Sequence, residues 1–242
     1  MIRVAAVGDL HVGADSAALW RAALAPVSAA ADLLLLAGDL TRSGSKADEE
    51  ALGVALDAVR IPIVAVLGNH DHHEDRVGPL VASLEGRGVS VLEGSSIVHE
   101  VDGVRIGIAG AKGFGGGFEG ACGSEFGEPE MKAFIRHTRE LAGDLENALA
   151  ILEADLRIAL LHYAPIAATL AGERCEIYPF LGSYLLGEAI DRAGADLVLH
   201  GHAHAGSARG TTHSGVCVRN VAQPVIQCPY VVFCFDPTGG AS

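Results

Sequence analysis

The stretch "IRVAAVGDLH" (residues 2–11) is a run of aliphatic side chains that ends in Gly8, Asp9, Leu10 and His11. A near-continuous apolar run of this length reads as a strand buried on both faces, the kind found in parallel sheets covered by helices. The pattern recurs in "DLLLLAGDL" (32–40), "IPIVAVLGNHDHH" (61–73), "DLRIALLHYAP" (155–165) and "ADLVLHGHAHAG" (195–206). Ala-rich segments at about residues 16–30 and 46–59 separate the first three runs and favour helix. Strands alternating with helices require crossover connections and a largely parallel sheet. Residues 87–110 read as short strands joined by a turn at Asp102-Gly103, and the tail from 215 to 235 is strand-rich again. Residues 128–153 form one long helix or two short ones. The expected class is α/β, a mixed sandwich with helices outside.

The chain has 242 residues, enough for one sizeable core, and no linker divides it, so a single domain over 1–242 is expected. Half of the residues are hydrophobic and only 5% aromatic, so the core is built from Ala, Val, Leu and Ile. A net charge of −13 argues against a grip on the phosphate backbone of nucleic acid. The longest apolar-looking stretch is broken by Pro26, Ser28 and Asp32, and the N-terminus lacks the layout of a signal peptide. No membrane span and a cytoplasmic location are therefore expected. Cys122, Cys175, Cys217, Cys228 and Cys234 are scattered, and reduced thiols are the expectation.

The polar residues fall where the apolar runs end. Asp9 and His11 follow the first, Asp39 the second, Asn69 and His70 the third; His162 ends a later run, and His202 and His204 another. Ligand sites in open α/β sheets gather beyond the carboxyl ends of the strands. Imidazole with carboxylate suits Mn, Fe, Zn, Ni or Co, and the lack of cysteine argues against a structural zinc knot. With His70 left aside, the seven candidate ligands exceed the needs of one four-coordinate ion and suit two ions sharing a carboxylate. His200 stands just before the last block and is read as a hydrogen-bonding support or a strand end.

In chain order these blocks are Asp9-Leu10-His11, Gly38-Asp39-Leu40-Thr41, Gly68-Asn69-His70-Asp71, Leu161-His162-Tyr163 and Gly201-His202-Ala203-His204. The succession D-x-H, G-D-x-x, G-N-H-D, H and G-H-x-H resembles the calcineurin-like metallophosphoesterase superfamily. The resemblance implies a four-layer αββα sandwich of two mixed β-sheets. It assigns Asp9, His11 and His204 to one metal, Asn69, His162 and His202 to a second, and Asp39 to both, with two ions of Mn, Fe or Zn type. It gives His70 to the leaving group. The implied activity is hydrolysis of a small-molecule phosphodiester or phosphomonoester by in-line attack of a metal-bridging hydroxide. A non-catalytic binding module on the same fold, or a nuclease, is the competing reading.

Protein Ser/Thr phosphatases of the superfamily read G-D-x-V-D-R-G at the second block; here it is "GDLTRSG", with Arg42 in the aspartate's place. Arg42 and Tyr163 are candidate substrate contacts. Asp71 is read as holding its loop. The glycine-rich stretch 113–127 matches no phosphate-binding spacing and is expected to be a flexible loop, with a lid as the functional alternative. His72 and His73 are expected to be solvated, and His99, His137 and His213 to have no part in the site.

Overall fold

The computed structural model describes residues 1–236. Its strands are β1 (Ile2–Val7), β2 (Leu33–Ala37), β3 (Ile63–Val66), β4 (Val89–Val91), β5 (Ser95–Val101), β6 (Val104–Ala111), β7 (Gly117–Phe118), β8 (Ala121–Cys122), β9 (Leu156–Leu161), β10 (Leu197–His200), β11 (Arg209–Thr211), β12 (Cys217–Asn220) and β13 (Val231–Phe235). One sheet has the order β13-β1-β2-β3-β4 and the other β11-β12-β10-β9-β6-β5. β1 to β4 are mutually parallel, as are β6, β9, β10 and β12, whereas β13, β11 and β5 are antiparallel to their neighbours. Both sheets are therefore mixed.

The pleat sorts the aliphatic runs into three layers of core, because successive side chains point to opposite faces. Val4, Ala6, Leu33, Leu35, Val64 and Val66 meet Ile106, Ile108, Ile158, Leu160 and Leu199 between the sheets. Their alternates Ala5, Val7, Leu34 and Leu36 pack against Leu24, Leu52, Leu80 and Leu84. Those four belong to α1 (Ala17–Leu24), α3 (Lys46–Leu56) and α4 (Val77–Glu85), α2 being the short Val27–Ala30. On the second sheet Ala109, Ala159, Leu161 and Val198 pack against Leu145, Leu149, Leu186 and Ile190. These come from α5 (Pro129–Ala150) and, after the short α6 (Tyr178–Leu181), α7 (Tyr184–Ala193). The arrangement is the four-layer αββα sandwich.

Several local expectations are refined. The segment 16–30 splits into α1 and α2 because Pro26 has no N–H to continue the first helix. Residues 128–153 give one helix of 22 residues, entered through Pro129 at its first turn. Asp102 and Gly103 both have positive φ, 51° and 78°, and join β5 to β6 as the two-residue turn that a twisted hairpin favours. The tail inserts a helical turn, α8 (Gln223–Ile226), before β13. The glycine-rich stretch is not simply a loop. Residues 117–122 form the β7–β8 hairpin, and 113–118 pack down onto α5 and α6 with Phe118 only 5% exposed. The glycines there allow close backbone contact, such as that of Gly115 with Pro179 and Phe134.

No helix among the described residues is long and apolar enough to cross a membrane. Ile158 is fully enclosed between the sheets. Ile158→Ala is expected to lower unfolding free energy by about 2–5 kcal/mol in urea titration. Val98→Ala, at an exposed position on β5, is expected to stay within about 0.5 kcal/mol.

Candidate metal centre

The carboxyl ends of β1, β2 and β3 in one sheet face those of β9 and β10 in the other, and the candidate ligands all leave these five ends. To turn the side chains inward at once, the backbone goes left-handed: φ is 59° at Asp9, 44° at His11, 50° at Asp39 and 69° at His202. Such conformations cost non-glycine residues of order 1–3 kcal/mol each and persist only where the surroundings enforce them. Enforcement here is a ladder of backbone bonds, Asp9 N–H to Gly38 O at 2.9 Å, His11 N–H to Asp39 O at 3.0 Å and Val12 N–H to Leu40 O at 3.0 Å. Two motif glycines have a packing reason. A Cβ on Gly68 would collide with the Asp39 carboxylate, and one on Gly201 with that of Asp9.

The Asp71 carboxylate, fully buried, closes the floor. It accepts from Leu40 N–H (3.1 Å), Gly68 N–H (2.8 Å), Thr41 N–H (2.8 Å) and the Thr41 hydroxyl (2.6 Å). It thus ties the loop after β2 to the loop after β3, as its place in the G-N-H-D block suggested.

The donor atoms fit a metal. His162 donates from Nδ1 to the Ala37 carbonyl at 2.9 Å, which leaves its Nε2 as a lone pair. That Nε2 lies 3.0 Å from Asn69 Oδ1 and 3.3 Å from Asp39 Oδ1, so three acceptors converge with no proton among them. A cation resolves that repulsion, and anchoring a ligand histidine through its other nitrogen is the usual support for one. His202 is anchored likewise, from Nε2 to the Phe180 carbonyl at 3.2 Å. Burial, and then the neighbouring His162, push its pKa down to about 3, so it stays neutral, as a ligand must. His11 Nε2 is buried without a hydrogen-bond partner, 3.8 Å from Asp39 Oδ2. His204 Nε2 lies 2.8 Å from Asp9 Oδ1. Burial works to raise the Asp9 carboxyl, but the His204 hydrogen bond and nearby histidines outweigh it and hold it below the usual range. Three groups are each compact enough to grip one ion: Asp9–His11–His204, Asp39–His162–His202 and His11–Asp39–His70.

His70 stands at the open rim, its ring nearly half exposed. Its backbone N–H donates to Asp39 Oδ1 at 2.8 Å, and its Nδ1 donates to the Arg42 carbonyl at 2.8 Å. Arg42 therefore meets the centre through its backbone, while its guanidinium pairs with Asp15 at 2.5 Å. Tyr163 is buried beside the cluster, its ring 4.4 Å from that of His202, and burial and the Asp39 charge push its phenol up to about 12. His200 uses both ring nitrogens away from the cluster, Nδ1 to Gly201 O and Nε2 to the Thr169 hydroxyl, each at 2.8 Å. Its burial drives the pKa down to about 4.

Lys112 was not singled out from the sequence. It follows β6 just as the ligands follow their strands, which is the signal that could have found it. Its carbonyl accepts from His162 N–H (3.1 Å) and Tyr163 N–H (3.0 Å), fixing the β9 end. Its ammonium lies over the Phe114 and Tyr163 rings at 5.0 and 5.5 Å, and burial pushes its pKa down. His72 is not simply solvated either: its Nε2 is buried without a partner, and burial, followed by the Lys112 charge, lowers its pKa.

A family model described as calcineurin-like phosphoesterase matches residues 2–206. The chain belongs to the calcineurin-like phosphoesterase family. A Synechococcus protein named as a probable cyclic nucleotide phosphodiesterase is 36% identical to this family member over 83 residues, 30% of this chain and 32% of that protein. The match thus spans about a third of the relative. Among solved structures, the phosphopantetheinyl hydrolase of Mycobacterium tuberculosis aligns over 99% of this chain and 98% of its own, with TM-score 0.71 and 15% identity. A novel phosphatase from Mycoplasma pneumoniae aligns over 93% and 72%, with TM-score 0.51 and 18% identity. At such identities the likeness is one of fold.

Gly68→Ala is expected to yield a folded phosphoesterase chain with sharply reduced metal content, since the new methyl displaces Asp39; elemental analysis of the purified protein reads this. His200→Ala is expected to keep the wild-type metal content in the same measurement.

Proposed function

We propose that the chain is a binuclear metal-dependent phosphoesterase acting on a small-molecule phosphodiester or phosphomonoester. The observation that carries this reading is the shared position of Asp39, which stands in ligand reach of His162 and His202 on one side and of His11 on the other. Asp9, His11, His204 and Asp39 would hold one ion, and Asn69, His162, His202 and Asp39 the other. Divalent ions held there would supply positive charge for phosphate oxygens and lower the pKa of bound water toward neutrality.

The protein groups set the terms for that chemistry. Only two of the seven ligands are carboxylates, and Asn69 contributes a neutral oxygen, so the set leaves the centre positive enough to attract a phosphate. The carbonyl anchors at Ala37 and Phe180 hold His162 and His202 in one tautomer. His70 is held through Nδ1, which aims its Nε2 at the rim, 4.0 Å from Asp39 Oδ2. When protonated, Nε2 donates its proton to the departing oxygen of the ester and reverts to the neutral Nδ1–H tautomer. The departing group faces a cleft of about 220 Å³ lined by Arg42, Ser43, Asn69, His70 and His73. Arg42 and Tyr163 are assigned substrate-side roles, Arg42 at the mouth of this cleft and Tyr163 as a wall behind His202. The cyclic nucleotide activity in the relative's name places diesters first in a substrate panel.

His70→Ala is expected to retain both metals while kcat on an aryl phosphodiester or aryl phosphate falls by about 10²–10⁴. Loss of metal from that variant would overturn the division of roles. Wild-type protein that binds no Mn²⁺ and hydrolyses neither ester would favour the non-catalytic module.

A further inference from the structure

A second polar site lies at the open edge of the sandwich, where β13 of one sheet stands over β11 and β12 of the other. Val218 faces the helical layer, so the pleat turns its neighbours Cys217 and Arg219 inward, toward the space between the sheets. Arg219 meets the Phe233 ring there at 5.3 Å. Arg209 is the direct cross-strand partner of Arg219, so two guanidiniums share positions that elsewhere belong to the apolar layer. Like charges directly opposite one another destabilise a strand pair. Among the described residues no carboxylate lies within ion-pair distance of either arginine, although the chain carries 30 acidic residues against 17 basic ones. Asp196 also lines this edge, its Oδ2 accepting from the Arg157 backbone N–H at 2.7 Å. Burial and then the Arg209 charge lower the Arg219 pKa, against a smaller opposing pull from Cys217.

The two arginines open onto a groove of about 530 Å³ whose walls include Phe233, Phe235, Cys217 and Cys234. That volume suits a small molecule, and paired guanidiniums are well suited to bind phosphoryl oxygens. We propose that this groove binds a phosphate-bearing small molecule, its phosphoryl group held between Arg209 and Arg219 and its apolar body against Phe233. The site is separate from the metal centre. The groove reaches Leu197 at the start of β10 and Phe235, which pairs with Ile2 at the start of β1, whereas the candidate ligands leave the opposite ends of those strands. It therefore does not rest on the phosphoesterase reading.

Cys217 and Cys234 are exposed thiols in the groove walls and give a local readout that a phosphate at the metal centre would not move. The probes are inorganic phosphate and phenylphosphonate, a phosphoryl compound with a ring and no ester to cleave. Full-length protein is treated with iodoacetamide at matched ionic strength, and each cysteine is followed by mass spectrometry. Both probes are expected to slow alkylation of Cys217 severalfold and saturably, phenylphosphonate at the lower concentration, with Cys122 and Cys175 unaffected. The protection is expected to vanish in R209Q and in R219Q, which relieve the repulsion and should unfold at no lower temperature than wild type. Unchanged Cys217 reactivity with both probes would overturn the proposal and leave the arginines as guards against edge-to-edge association. So would protection that persists in both variants.

Discussion

The Asp71 carboxylate is the pin on which the metal centre turns. With four hydrogen bonds it joins the loops after β2 and β3, and those loops carry Asp39, Asn69 and His70. A buried carboxylate that accepts from several donors is a strong restraint, because removing any partner leaves a buried group unsatisfied. Its geometry lets the chain hold Asp39 at a left-handed φ, where the side chain turns toward the opposite sheet. The candidate ligands are thus placed by backbone conformation more than by side-chain reach, which suits a site whose donor atoms must meet within a few ångströms.

The same economy explains why the ligands come in pairs with glycine. Gly68 and Gly201 are backbone surfaces against which the carboxylates of Asp39 and Asp9 lie flat. The histidines, by contrast, are steered by hydrogen bonds from the far side of the ring. His162 and His202 each give a proton to a backbone carbonyl, so each offers a single free lone pair. His200, with both nitrogens engaged, offers none. Three alternating histidines near one strand end are therefore unequal, and hydrogen bonding distinguishes them.

Much of this was legible before any coordinate. Aliphatic runs ending in polar residues marked the strands of both sheets that bear ligands, because a strand buried on both faces has a composition few other elements share. The blocks from Asp9 to His204 could be read for the same reason: chemistry at a strand end leaves a fixed polar signature. What escaped notice depended on three-dimensional proximity. Lys112 sits at the end of β6 without a second polar neighbour in sequence. The β7–β8 hairpin within the glycine-rich stretch is hidden in the sequence because glycines that permit close packing are indistinguishable from glycines that permit motion. Arg42 stands out in the sequence by its charge, whereas the carbonyl through which it holds His70 is common to every residue. The arginine pair at the sandwich edge emerged only from strand register, which sequence alone does not specify.

Because the donors come from both sheets, the centre exists only where the sandwich is shut. Any ion it retains acts as a clasp across the interface and favours the closed arrangement by its binding free energy. A chain in which one ligand-bearing strand had slipped by a single residue within its sheet would have that strand's side chains turned to the wrong faces and no clasp to close. Metal retention would in that sense report on the finished fold, since a chain misassembled at this interface would lack a complete donor set.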